Sequence, residues 1–204
     1  MTALINADTS SGVVITSDTS GSLALQSAGT TKMTVGTSIT MNTGGLITSG
    51  TAVASTSGTS IDFTSIPSWV KRITVMFQGV SLSGTALPLI QIGAGSVTST
   101  GYVGCGSNSS TGVGATFNTV QYTTGFGIGQ GSSASVAISG LVTIDTLGSN
   151  SWIASGTLAS TTEAVTRFTA GSITLGGTLD RVRITTSNGT DTFDAGSINI
   201  LYEG

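Results

Sequence analysis

The chain has 204 residues, of which only 7% are charged: six Lys or Arg against nine Asp or Glu, with no histidine and a net charge of −3. With no basic run, the sequence offers nothing to neutralise a nucleic-acid backbone, and without histidine it excludes Ser-His-Asp and Cys-His catalysis. The lone cysteine, Cys105, permits no intrachain disulfide, so packing, hydrogen bonds or oligomerisation must hold the fold.

The first ten residues, MTALINADTS, carry neither a basic segment nor an apolar core, and no apolar stretch approaches the roughly 20 residues that cross a bilayer. Neither a secretory leader nor membrane insertion is expected. From Thr9 the sequence repeats with a period of about ten residues: Thr9 to Asp18, Thr19 to Ala28, Gly29 to Ser38 and a weaker copy through Thr48. Each copy pairs a Ser/Thr/Gly turn with a short alternating segment, so Val13 and Ile15, Leu23 and Leu25, and Met33 and Val35 each share one face of a predicted strand.

About two apolar side chains per strand, at roughly 1.5–3 kcal/mol each, cannot offset the ordering of about ten residues at roughly 1–2 kcal/mol apiece. Those six residues therefore read as oligomer or attachment positions of a stalk over residues 1–50, covered by further copies of the chain or by another protein. A flexible Ser/Thr/Gly-rich leader is the alternative that composition leaves open.

Residues 51–58 (TAVASTSG) are small and polar and read as a linker. Predicted strands then recur over residues 59–204: Ser60–Thr64, Trp69–Leu82, Leu87–Ile92, Thr116–Tyr122, Ser133–Thr146, Ser151–Leu158, Ala164–Thr169, Ser172–Leu175, Leu179–Thr186 and Ser197–Tyr202. Ile73, Val75 and Phe77 fall on one face of the second, and Pro88 favours an edge or a strand start. No window combines a 3.6-residue apolar period with good helix formers. The expected fold is all-β: a short-strand repeat stalk followed by an antiparallel, jelly-roll-like β-sandwich.

The stretch Gly58 to Phe77 (GTSIDFTSIPSWVKRITVMF), with Leu89-Ile90-Gln91-Ile92-Gly93 and Thr100-Gly101-Tyr102, resembles a module of tail-fibre and other virion structural proteins of tailed bacteriophages. Gly21 to Gly29 (GSLALQSAG) is similar to β-rich segments of the same class. The resemblance covers about a third of the chain and implies a virion-surface component, commonly a homotrimer, in either a tail or a capsid context.

Carboxylates for glycoside hydrolysis are available in Asp145, Glu163, Asp180, Asp191 and Asp194, but they form no recognisable motif. Asp191 and Asp194 lie in NGTDTFDAG, whose ordinary reading is a turn and whose sharper one is a calcium loop. The glycine-rich runs Gly101–Gly114 and Gly125–Gly131 read as loops, either where chains approach closely or where a receptor is contacted. On the second reading Tyr102, Asn108, Phe126 and Gln130 are the candidate contact residues. Lys71-Arg72 beside Trp69 offers a cation–π or interface anchor against the plainer reading of a solvated strand start, and Trp152 reads as core.

These residues lead to the expectation of a non-enzymatic phage structural protein on the virion surface, without cofactor or metal. A trimeric short tail fibre or tail-associated appendage engaged in host recognition is the first reading, with a host glycan as partner. A capsid decoration protein or head fibre, clamped to the major capsid protein by its N-terminal segment, is the second. Lys32 is the only basic residue of the repeats, and Arg72 to Arg167 spans no other trypsin site. If the repeats form ordered strands, trypsin cuts the native protein no faster at Lys32 than elsewhere, as mass spectrometry of the early digest will show. Rapid first cleavage there would mean a flexible leader.

Overall fold

The computed structural model describes residues 22–35, 39–41, 47–110, 117–129, 133–134, 136–160 and 162–204. The chain divides into two units, Met1–Gly45 and Leu46–Gly204, and every regular element among the described residues is a strand.

In the first unit, β1 (Leu23–Ser27), β2 (Thr30–Val35) and β3 (Ile39–Met41) form a 3-stranded antiparallel sheet in sequence order. Ala28 and Gly29, at φ of 50° and 73°, make the tight turn between β1 and β2, a geometry that suits the twist of a hairpin. The register sets Leu23 opposite Val35 and Leu25 opposite Met33, which gathers four of the sequence-predicted repeat residues on one face. The predicted strand carrying Val13 and Ile15 lies outside the described residues.

The second unit opens with β4 (Thr48–Ser49), β5 (Val53–Ala54), β6 (Ser60–Thr64), β7 (Arg72–Leu82), β8 (Pro88–Ala94) and β9 (Ser96–Val97). It continues with β10 (Val103–Ser110), β11 (Phe117–Tyr122), β12 (Phe126–Gly127), β13 (Ile138–Gly148), β14 (Ser151–Ser160), β15 (Val165–Thr174), β16 (Arg181–Thr186) and β17 (Phe193–Glu203). A 9-stranded sheet runs β11-β10-β15-β14-β13-β7-β17-β4, with β5 also on β17, and a 5-stranded sheet runs β12-β8-β16-β6, with β9 on β8.

The chain crosses between sheets at β5–β6, β6–β7, β7–β8, β9–β10, β11–β12, β12–β13, β15–β16 and β16–β17, and the late strands β16 and β17 return beside the early β6 and β7. This alternation is the jelly-roll pattern. Its elaboration is the meander β13-β14-β15, which fills the space between β7 and β10 in the large sheet.

Alternation within each strand builds the core. On the large sheet Ile73, Val75, Phe77, Val142, Ile144, Ile198 and Ile200 are buried, and on the small sheet Ile61, Phe63, Ile90, Ile92, Val182 and Ile184 join them in one cluster. The expected inward face of β7 is therefore observed, and Trp152 is core as read.

Several boundaries differ from the sequence reading. The stretch 51–58 is not a linker: β5 pairs with β17, and Ser55 is buried, donating its hydroxyl to the Ala195 carbonyl at 2.8 Å. The division falls after Gly45 instead of at residues 50–58, because backbone pairing recruits a segment whose small side chains signal nothing. The predicted strands 164–169 and 172–175 are one strand, β15, continuous through Gly171. Much of the run Gly101–Gly114 is not a loop but β10, paired on both sides, and β12 occupies part of Gly125–Gly131.

The glycines in those runs serve an approach within one chain. A Cβ on Gly106 would collide with the Gly127 and Gly129 carbonyls, and one on Gly127 with the Tyr122 ring. Only glycine lets β10 lie so close beneath β12.

Tyr102 ties β8 to the segment that follows it. Its hydroxyl accepts the Ile92 N–H at 2.8 Å and reaches the Thr98 carbonyl at 3.1 Å, with the Phe126 ring edge-on at 5.0 Å. Burial pushes the phenols of Tyr102 and Tyr122 up to about 12. The folded state thus holds both neutral while an unfolded tyrosine ionises near pH 10, so their contribution is complete below pH 10 and is lost as pH rises through about 12. Urea unfolding is expected to show stability falling over that window. In Tyr102→Phe the fall is shallower, and neutral-pH stability drops by about 1–3 kcal/mol because the Ile92 N–H loses its acceptor.

Candidate interaction surfaces

The sequence-predicted receptor contacts do not assemble into a loop site. Tyr102 and Phe126 are 2% and 1% exposed and belong to the core, which overturns their reading as contact residues. Their aromatic surface fills the gap between the two sheets, where burial contributes far more than exposure would. Gln130 lies outside the described residues.

Asn108 is not a loop residue either. It stands on β10 opposite Arg167 of β15, and its Oδ1 accepts from the Arg167 guanidinium at 3.5 Å. Arg167 is 1% exposed and also meets Glu163 at 3.7 Å. Burial pushes the Arg167 pKa down, and the Glu163 and Tyr122 side chains oppose that shift. A buried arginine escaped the sequence reading, although its phase with inward Thr169 and Ile173 on β15 was a usable signal.

The carboxylates considered for catalysis are engaged separately. Asp145 takes the Arg72 Nε–H at 2.5 Å on the outer face of the large sheet, and Glu203 adds a contact at 3.9 Å. Arg72 is thus cross-strand paired and not merely solvated, while Trp69 packs on Tyr202 with ring centres 6.1 Å apart. Asp180 binds Arg181 and accepts from the Gly95 N–H. The Arg181 contact, ahead of that backbone bond, holds its carboxyl below the usual range. Asp191 accepts the Ala86 N–H at 2.8 Å, and Asp194 accepts from the Ser81 hydroxyl. In the NGTDTFDAG turn, Asn188 Oδ1 takes the N–H groups of Thr190 and Asp191, which is turn chemistry. Among the described residues no group of three or more Cys, Asp or Glu is arranged to hold a metal ion.

Two surfaces stand out instead. In the first unit Leu25 is 42% exposed, and Leu23, Met33 and Val35 are only half-buried, so the apolar face that the register assembles is left open to water. In the second unit the outer face of the large sheet is broad and nearly neutral. One row across it reads Gln121, Cys105, Ala170, Ser155, Thr143, Thr74, Leu201 and Ser49. Leu141, at 47%, and Phe117, at 68%, are exposed there with Val103 and Ile153. The charges on this face are Arg72, Asp145 and Glu203, gathered in one row near its edge, and Asp194 at the opposite end of β17. Eight strands at about 4.8 Å and four outward residues deep make a patch of about 700 Å², close to the roughly 800 Å² that each partner gives to a standard interface.

Comparison with protein-family models, with curated proteins and with solved structures gave no match. The surfaces therefore carry the functional argument.

The Asn108–Arg167 contact makes a prediction of its own. Asn108→Ala removes an acceptor from a buried guanidinium and is expected to cost about 1–3 kcal/mol in urea unfolding. Arg167→Met removes the buried charge altogether and is expected to stay within about 1 kcal/mol of the parent.

Proposed function

We propose that this chain is a non-enzymatic structural protein of a tailed-phage particle, exposed on the virion surface and assembled as a homotrimer. It serves as a short tail fibre or tail-associated appendage engaged in host recognition. The observation that supports this most is the open apolar face of the first unit, where Leu23, Leu25, Met33 and Val35 line up without cover among the described residues. A strand set of this kind gains stability when copies of it exclude water jointly.

The second unit supports the same reading from another direction. A sandwich whose larger outer face carries hydroxyls and scattered apolar groups, with its few charges at the two ends of the strands, suits contact with neighbours in an assembly. The resemblance of residues 58–77, 89–93 and 100–102 to virion modules supplies the biological setting.

Light scattering at micromolar concentration is expected to return three times the 20.1 kDa chain mass. Leu25→Asp with Met33→Asp should shift that mass toward monomer while the second unit keeps its unfolding transition. Monomer mass for the unaltered protein would overturn the trimer. Antibody labelling of intact particles, viewed by electron microscopy, is expected to mark tails. Label on capsid facets would move the protein to capsid decoration, and its absence from particles would end the virion reading.

A further inference from the structure

At one end of the sandwich a cleft of about 160 Å³ lies between the approach to β7, the β13–β14 hairpin and the residues before β16. Trp152 lines it, with Val70 and Leu179 as apolar neighbours. Six polar side chains line it as well: Ser68, Lys71, Thr146, Ser149, Asn150 and Thr178. Thr146 donates to the Ser151 carbonyl and accepts from the Gly148 N–H, while none of the other five makes a side-chain hydrogen bond or ion pair among the described residues, so Lys71 has no carboxylate within 4.0 Å. That is unusual company for a chain whose other described cations, Lys32 aside, are all paired with carboxylates.

The second observation is the indole itself. Trp152 is 5% exposed, and its Nε1–H is closed to solvent with no hydrogen-bond partner among the described residues. A buried donor left unmet is costly, and native proteins keep few of them. The surrounding backbone is held in place: Asn150 O accepts the Leu175 N–H at 2.9 Å, and Lys71 O accepts the Thr146 N–H at 2.9 Å. The cleft wall is fixed while its polar side chains other than Thr146 are unengaged.

We propose that this cleft binds a single sugar ring bearing a carboxylate. The Lys71 ammonium meets the carboxylate, and Asn150, Ser149 and Thr178 exchange hydrogen bonds with ring hydroxyls. The Trp152 ring contributes its apolar surface to the wall against which the sugar ring lies. The volume sets the size: it is below the roughly 300–1,000 Å³ of drug-sized pockets, so it suits one ring and not a chain of them. The lone cation sets the charge, since a neutral sugar leaves the ammonium without a partner. This deepens the host-recognition reading by naming a ligand class, and it is decided by binding in solution, whereas that reading is decided on particles.

The test uses the full chain and two probes of equal ring size, glucuronate and glucose, which differ at the carboxylate. Saturation-transfer NMR and calorimetry are expected to give a millimolar Kd for glucuronate, at least tenfold tighter than for glucose, weakening as salt is raised. Lys71→Gln should abolish the preference. Trp152→Phe, which narrows that apolar wall and removes the unmet N–H, should weaken glucuronate several-fold while melting no lower than the parent. Equal response to the two sugars, no response to either, or parental binding by Lys71→Gln would each overturn the proposal, and that variant decides the matter even if Trp152→Phe misfolds.

Discussion

Everything in the second unit depends on one contact layer, the meeting of the large sheet with a smaller one across a dry core. Ile73, Val75, Val142, Ile144 and Ile198 on one side and Ile90, Ile92, Val182 and Ile184 on the other are entirely buried. Branched side chains on pleated strands interdigitate there at the spacing of two packed sheets, and this burial is the main term opposing chain entropy. A 5-stranded sheet cannot cover a 9-stranded one edge to edge, so other groups complete the layer. Tyr102, Trp152 and the buried Arg167 do so under β10, β14 and β15.

That mismatch explains where polarity collects inside the molecule. Beneath β10 and β15 the small sheet offers only the short β12, and the inward positions there are Gly104, Gly106, Asn108, Arg167 and Thr169. Glycine permits close backbone approach, and the guanidinium fills the remaining volume with hydrogen-bonding capacity that Asn108 and Glu163 help to meet. Removing an acceptor from such a group does more harm than removing the group.

Outside the core, the scarcity of charge divides the two faces of the sandwich. Asp62 and Arg183 pair across β6 and β16 on the outside of the small sheet, where Arg181 also projects. The much larger face of the other sheet presents mainly hydroxyls and scattered apolar residues, with Arg72, Asp145 and Glu203 at one end of its strands and Asp194 at the other. A surface with so few charges has little to repel a neighbour and little desolvation cost on contact, which is the physical basis for reading it as an assembly face. The open apolar face of the first unit follows the same logic with fewer residues.

Sequence alone determined the all-β class, the sandwich, the inward face of β7 and Trp152 as core, because period-two alternation of branched residues is the direct imprint of a pleated strand with one dry side. It also placed Leu23, Leu25, Met33 and Val35 on shared faces, and turn chemistry at Ala28-Gly29 keeps that register. What it could not determine was β10, since Gly104 and Gly106 face inward and leave no apolar alternation to read, nor the pairing of Val53–Ala54, which is made by backbone alone. Tyr102 and Phe126 were misplaced for the same reason: whether an aromatic among glycines points to solvent or to the core depends on which strand lies above it. Only the tertiary structure brings β8, β10 and β12 together, and with them the buried rings, sets Asn108 of β10 against Arg167 of β15, and places Lys71 and Trp152 on one cleft beside the β13–β14 hairpin.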